Sequence, residues 1–464
     1  MAKKTKSADL SIEEKLEQAL VVPGYEPYKI PDNWCWTTVG TVTNIYRGVS
    51  YKKNEGHSEK HMNDCLVLRG GNIQEGSIDT ETDNVFVNRD LVSGTQIIRK
   101  YDVIIVSSTG SKKVIGRAGI SFSDYSDVAF GAFLTLVRAN DYIYKPFIAY
   151  YLQSDIYRNR IRTLASGVNI NNIRNEYITE TPLSLPPLPE QQRIVERIES
   201  LFSKLDEAKE KAQEVIDSFE IRKAAILHKA FSGELTAKWR EENGVGIESW
   251  ERKRISECCK LGSGGTPSRK KPNYYTGDIP WIKTGEINWN TVNYSEESIT
   301  QEAIDNSSAK VYAPGAVLVA MYGMGITRGK AAILGIEAAT NQAVCVLQPK
   351  GYLFNRYLYF FFMCNYWDIR EQAVGGNQLN LSATIIGKLN IDIPNLEEQY
   401  VITELLDSII EKEYQTKQIA ESVIDQIDAM KKAILARAFR GELGTNDPEE
   451  ESAVELLKQI LSGE

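Results

Sequence analysis

The feature that most restricts how this chain can fold is that nearly all of it occurs twice. Laid over 396–443 without a gap, the segment 188–235 agrees at 21 of 48 positions, among them Glu190/Glu398, Gln191/Gln399, Ile226/Ile434, Ala230/Ala438 and Phe231/Phe439. The correspondence continues upstream more loosely, pairing Gly167 with Gly376, Gly116 with Gly329, Gly48 with Gly264 and Trp34 with Trp250. Insertions shift the register in these upstream stretches and nowhere in the downstream ones. A repeat of this kind predicts alternation of a variable module and a segment of fixed length, an internal repeat that is pseudo-twofold if the fixed segments pair antiparallel. At 464 residues the chain is also too long for one ordinary hydrophobic core.

The fixed segments read as long helices. In the first, Ile194, Ile198, Leu201, Leu205, Ala208, Ala212, Val215 and Phe219 recur in alternating steps of four and three, the a/d seam of a coiled coil. The second repeats the seam with Ile402, Leu406, Ile409, Ala420, Val423, Ile427, Met430 and Ile434, interrupted by the polar pair Glu413 and Thr416. Pro186, Pro187 and Pro189 mark the first start, Asn395 with Glu398 has the spacing of a capping box at the second, and Gly233 and Gly441 suit the position just past each end. A helix from Glu190 to Phe231 would be about 63 Å long at 1.5 Å per residue. Neither helix can bury its stripe alone, so Ile194, Ile198, Leu201, Leu205 and Phe219 of the first and Ile402, Leu406, Ile409, Ile427 and Ile434 of the second are the expected interface residues.

The modules read as mixed and strand-rich. Short β-branched runs at 102–106 (DVIIV), 130–137 (FGAFLTLV), 315–319 (GAVLV) and 343–347 (AVCVL) alternate with Gly-, Ser- and Asn-rich turns. A helical stretch follows in each copy, over 146–164 and 354–373, and each copy closes on a Gly/Asn segment, SGVNINNI (166–173) and GGNQLNLS (375–382).

These residues resemble a known family. LPEQQRIVERIESLF (188–202), KAAILHKAFSGELTAKWR (223–240), its second copy KKAILARAFRGEL (431–443), IPDNWCWTTVG (30–40) and GGNQLNLS are similar to the specificity subunit of type I restriction-modification systems, from about Lys29 to Leu443. The resemblance implies an α+β chain in which two mixed α/β target recognition domains are joined by two long antiparallel coiled-coil helices. Its implied organisation is an N-terminal segment (1–29), a first recognition domain (30–187), a central spacer (188–240), a second recognition domain (241–395), a C-terminal spacer (396–443) and an acidic tail (444–464). It implies a non-catalytic protein that reads a bipartite site on double-stranded DNA for adenine methyltransferase subunits and restriction/translocase subunits. S-adenosylmethionine, ATP and magnesium would belong to those partners and no cofactor to this chain. A subunit of a methyltransferase-only complex and a coiled-coil scaffold without DNA binding are the alternatives.

The net charge of −8 runs against nucleic acid only until it is apportioned. Residues 31–187 carry 17 basic and 16 acidic side chains and 250–395 carry 15 and 12, whereas 396–464 carry 7 and 16. Loops that combine cations with amides, hydroxyls or an aromatic are the expected contacts, since Arg and Lys reach phosphates or guanine. Four qualify, at matching places in the two copies: Arg47, Tyr51, Lys52 and Lys53; Ser111, Lys112, Lys113 and Arg117; Ser268, Arg269, Lys270 and Lys271; Tyr322, Thr327, Arg328 and Lys330. Asn169, Asn171, Asn172, Gln378 and Asn380 read instead as turn or packing residues.

Other patterns lead nowhere. GMGITRGKA (323–331) is one residue too long for a phosphate-binding loop and has Ala331 where Ser or Thr must hold magnesium. His57, His61 and Cys65 stand at i, i+4 and i+8 but lack a fourth ligand in what reads as exposed loop, so no metal is expected. With three histidines and no GxSxG, HExxH or Asn/Asp-Pro-Pro-aromatic motif, no catalytic site is expected. Six cysteines without CxxC pairing fit free thiols. No signal peptide or apolar run of about 18 residues is present, so the chain is expected in the cytoplasm. The segment 12–22 reads as a short helix for a partner, and the tail after Thr445 as a cap on the helices or a mobile end.

Overall fold

The structure, a computed structural model, describes residues 10–165, 171–323, 325–374 and 380–463. It forms two compact units, one built from residues up to Lys211 together with those from Val423 onward, the other from Ala212–Ser422. Among the described residues no helix is long and apolar enough to cross a membrane.

Each unit holds a mixed module of the same plan. In the first, Thr43–Arg47, Leu134–Ala139, Val103–Val106 and Ala118–Ile120 form a four-stranded antiparallel sheet, and Phe86–Asn88, Asp64–Leu68 and Val128–Phe130 a three-stranded mixed one in which Leu66 pairs in parallel with Val128. In the second, Cys259–Ser263, Val344–Pro349, Val317–Ala320, Ala331–Leu334 and Thr291–Val292 form one sheet, and Ser298–Ile299, Ile279–Ile282, Ala338–Thr340 and Val311–Tyr312 the other, with Trp281 parallel to Ala339. A two-stranded ribbon closes each module: Cys35–Thr38 on Pro182–Leu185, and Glu251–Arg254 on Asn390–Ile393.

The unbroken apolar runs follow from two-sided burial. Successive side chains of a strand point to opposite faces, so Val103 and Ile105 enter a core shared with helices while Ile104 and Val106 enter one between the sheets. Val317 and Val319 against Leu318 and Ala320 do the same in the second unit. The run at 130–137 is two strands, Val128–Phe130 and Leu134–Ala139, split by a turn at 131–133. Each expected module helix is also two. Lys145–Tyr151 and Asp155–Leu164 are separated where Ser154 caps the second, and Asn355–Cys364 and Tyr366–Glu371 break at Asn365. The close of each module, Asn169 and Gln378 included, falls largely outside the described residues.

The central helix spans Leu188–Asp217 and resumes as Phe219–Phe231, where an unbroken helix to Phe231 was expected. At the joint the Ser218 hydroxyl bonds the Glu214 carbonyl, and Arg222 donates to the Ser218 hydroxyl and the Val215 carbonyl, so side chains occupy acceptors of the helical ladder. The C-terminal helix is continuous over Leu396–Ala438. Only half of its expected capping box forms. Asn395 accepts the Glu398 N–H at 2.8 Å, but the Glu398 side chain turns instead to Arg240 at 2.6 Å.

Within each unit the start of one long helix runs antiparallel to the end of the other. In the first, Ile194 and Ile198 share a core with Leu435, Ala438 and Phe439, and Lys209 meets Asp428 at 2.8 Å. In the second, Ile402, Leu406 and Ile410 share a core with Leu227 and Ala230, Phe219 packs on Tyr414, and Arg222 pairs with Glu413 at 2.8 Å. Ile427 is buried, while Leu201, Leu205, Ile409 and Ile434 are half-buried. Ile194 and Ile198, and Ile402, Leu406 and Ile410, are buried in steps of four against the modules, and the seam positions Ala212, Phe219, Ala420 and Ile427 are buried farther along the helices.

Candidate nucleic-acid interface

The modules are docked on the helices by the same polar joint twice. Glu190, wholly buried, accepts from Trp34 Nε1 at 2.7 Å and Asn446 Nδ2 at 2.8 Å; Glu398, equally buried, accepts from Trp250 Nε1 at 2.9 Å, Thr236 at 2.7 Å and Arg240 at 2.6 Å. Gln191 and Gln399 each take a module N–H on their side-chain oxygen (Tyr144, 3.0 Å; Phe354, 2.7 Å) and donate to the carbonyl five residues back (Pro186, Pro394). A buried carboxylate must be satisfied by several donors, which accounts for Glu and Gln recurring at one register. Phe439 meets Phe147 and Tyr151 edge-on, and Phe231 packs against Tyr357 and Phe361.

The tail belongs to this joint. Arg193 grips Glu450 with two bonds at 2.7 and 2.8 Å, Ala453 N–H donates to Asn33, and Ala453 and Leu457 of the helix Ala453–Ser462 are buried in the first unit's core. The N-terminal helix, Ile12–Ala19, lies against that tail helix, so its cover comes from this chain itself. Leu235 and Leu443 likewise pack on their own units' cores.

On this frame the first module's loops converge. Gly48 is required where the chain leaves the strand Thr43–Arg47, because a Cβ there would lie 2.1 Å from the Gly131 carbonyl; Gly264 meets the Thr340 carbonyl at 1.9 Å in the same way. That crossing opens a cleft of about 540 Å³ lined by Arg47, Ser107, Ser108, Phe133, Asn172 and Arg174. Asn172 reaches it because the short strand Asn171–Asn172 pairs with Ser108–Thr109. Lys52, Lys53, Ser111, Lys112 and Lys113 are exposed, and Tyr51 is half-buried. Arg117 differs, donating to the Ile73 carbonyl at 3.2 Å. Phe133, 70 % exposed, and Arg174 were not anticipated. The signal was an aromatic in the turn inside FGAFLTLV, which reads in sequence as strand.

The second module's loops are more tied down. Arg269 pairs with Glu297 at 2.7 Å and stacks 4.0 Å from the Tyr275 ring, so its guanidinium is held charged by the Glu297 bond. Lys271 donates to the Tyr274 hydroxyl at 2.7 Å; Ser268 and Lys270 are exposed. The loop with Tyr322, Thr327 and Arg328 is clamped by Arg370, which donates to the carbonyls of Arg328 at 2.6 Å and Gly325 at 2.7 Å. Lys330 bonds Asn288 at 2.6 Å, and burial, then the charges of Arg370 and Lys223, push its ammonium below its ordinary value. Cations crowded in this way favour an anionic partner. Beside them Ile326 and Trp367 are exposed.

Comparison with known proteins supplies the remaining observation. The family model for the type I restriction modification DNA specificity domain matches residues 31–217 and 247–423. The chain is 26% identical to the type I restriction enzyme EcoKI specificity subunit of Escherichia coli K12, over 93% of this chain and 96% of that protein. It is 25% identical to the StySPI specificity subunit of Salmonella potsdam, over 89% and 90%. The HsdS subunit of Thermoanaerobacter tengcongensis has the same fold, with a TM-score of 0.62 at 20% identity over 90% of this chain and 99% of that one.

Proposed function

This chain belongs to the type I restriction modification DNA specificity family, and from that premise we propose that it is the non-catalytic subunit that reads a bipartite DNA site and directs adenine methylation and ATP-dependent cleavage by partner subunits. The observation that carries the reading is the doubled joint, Trp34–Glu190 and Trp250–Glu398, which presents two differently looped modules on one repeated frame. Two copies of a reading module with different loops suit two different half-sites.

In this reading 30–187 and 241–395 are the recognition domains, 188–240 and 396–443 the spacer, 1–29 the N-terminal segment and 444–464 the acidic tail. Spacer length sets the number of unread bases between half-sites, since about 60 Å is under two duplex turns of roughly 34–36 Å. Arg47, Lys52, Lys53, Lys112, Lys113, Lys270 and the Tyr322–Lys330 loop supply phosphate and base contacts, joined by Arg174, Asn172 and Phe133. The partners are double-stranded DNA, adenine methyltransferase subunits and restriction/translocase subunits, which bring S-adenosylmethionine, ATP and magnesium, and the complex works in the cytoplasm.

The test is to co-express the chain with the methyltransferase encoded beside it and sequence host DNA for N6-methyladenine. A two-part motif with a fixed gap, lost when this chain is omitted, is expected. An assembled complex that leaves no new methylation would favour a scaffold.

A further inference from the structure

Immediately downstream of the loop that carries Tyr51, Lys52 and Lys53, two imidazoles and a buried carboxylate converge on the first unit. His57 is fixed by a two-way backbone bridge to Phe86, with N–H···O distances of 3.1 and 2.8 Å. Asp64 opens the strand Asp64–Leu68 and pairs with Asn88, so both side chains leave backbone that the strand Phe86–Asn88 holds in place. His61 joins from the intervening turn, its backbone N–H donating to Asp64 Oδ2 at 2.7 Å. The same oxygen lies 2.6 Å from His57 Nε2 and 3.5 Å from His61 Nδ1. The rings are 4.6 Å apart, and the three donor atoms all fall within 4.8 Å of one another. The Asp64 side chain is 5 % exposed and that of His61 65 %, so the cluster is anchored at its base and open to solvent on one side.

The sequence pattern had set Cys65 beside the two histidines. Neighbouring residues of a strand face opposite sides, and Cys65 points into the core while Asp64 takes the place beside the rings. The result is two nitrogens and one oxygen facing a common point.

We propose that His57, His61 and Asp64 bind one divalent transition-metal ion of the zinc class, with a fourth position left to water. Donors held about 2.0–2.2 Å from a tetrahedral ion stand roughly 3.3 Å apart, which the His61–Asp64 separation already meets. The His57–Asp64 pair opens by less than about 1 Å as the ion takes the place of the proton between them; a neutral His57 ring then carries its proton on Nδ1, and a doubly protonated ring keeps the Nδ1 proton and releases the other to solvent. Imidazole with a single carboxylate suits zinc, cobalt or nickel, whereas calcium and magnesium take sets of oxygens. The His61 N–H on Asp64 then orients the ligating carboxylate, the usual task of a supporting hydrogen bond around a metal. The ion would tie the turn at 57–63 to the strands beneath it.

The experiment uses the untagged full-length chain, stripped with a chelator and titrated with Co²⁺ while visible absorbance is followed, then with competing Zn²⁺. One equivalent of Co²⁺ should produce the ligand-field bands of a low-coordinate site, and Zn²⁺ should abolish them. His61→Asn, at an exposed position that leaves the fold intact, and His57→Gln should each weaken Co²⁺ binding by at least about 10-fold. A folded wild-type chain without bands would overturn the site, and so would an unchanged Co²⁺ affinity in His61→Asn. Either result would leave His57 and Asp64 as an ordinary hydrogen-bonded pair.

Discussion

Trp34 donates its indole hydrogen to Glu190 at 2.7 Å, and the second unit repeats the contact between Trp250 and Glu398 at 2.9 Å, but the two carboxylates keep different company. The other hydrogen-bond partners of Glu190 are the neutral Thr445 and Asn446, whereas Glu398 faces the Arg240 guanidinium, itself almost buried. Glu190→Gln should therefore cost about 1–2 kcal/mol, the worth of weakened hydrogen bonds. Glu398→Gln strands a buried cation and should cost about 3–5 kcal/mol. Urea unfolding compares them, and equal losses would show that Arg240 is not the deciding partner.

Gly48→Ala and Gly264→Ala should each destabilise by about 1–3 kcal/mol, because the new methyl would press on a backbone carbonyl that cannot move aside as a side chain does. Gly110→Ala is the control, since nothing lies within 4 Å of its Cβ position. Thermal unfolding that ranks Gly110→Ala with the other two would contradict the strand crossing described.

The first module's cations divide by their surroundings. Arg47→Ala and Arg174→Ala should each lower the salt dependence of DNA binding by about one unit of slope while leaving stability unchanged. Arg117→Ala removes a donor from the Ile73 carbonyl and should instead lower stability by about 1–3 kcal/mol. Binding isotherms over a salt series, with melting curves of the same proteins, separate the two behaviours.

Helix length and base identity should prove independent. Four residues inserted near Ala212 or Ala420 add about one helical turn, and the methylated motif is expected to change its gap while each half-site stays the same. Proline at Leu201 or Ile409 costs about 3 kcal/mol within a helix and should abolish the split motif. A methylome in which an insertion changed a base inside a half-site would count against the spacer.

Acid should loosen one loop of the second module. Bonds from Arg269 and then Lys283 hold Glu297 below its ordinary carboxylate value of 4.5. A lowered folded value means that this stabilisation is complete above that pH and is lost as pH falls through the lowered value. Glu297→Gln should flatten that part of the melting-temperature profile, and an unchanged acid limb would show that the pair contributes nothing.

The duplication made the two long helices, the paired glycines and the repeated tryptophans legible, because each rests on spacing alone. The burial of Ile410 rather than Ile409 was not legible, since a seam read every three or four residues presumes a helical partner, while the start of this helix faces a module. The half-formed capping box fails for a similar reason: Asn395 and Glu398 have the right spacing, but the spacing cannot reveal that Arg240 competes for the carboxylate. Among the loops, cation content alone did not distinguish Arg117, bonded to the Ile73 carbonyl, and Arg269, exposed but paired with Glu297, from the exposed Lys112 and Lys270. Phe133 was hidden inside an apolar run whose turn only the strand pairing exposes.

The tail from Val423 onward completes the unit that the earliest residues begin, whereas Ala212–Ser422 is contiguous. Chains emerge from the ribosome in order and domains fold as units. The module made first is thus finished last: until Ala453 and Leu457 arrive, its core lacks part of its lining while its neighbour has all it needs. Loss of the chain from Glu450 onward would act far along the sequence from where it falls, loosening the module of 30–187 and sparing that of 241–395.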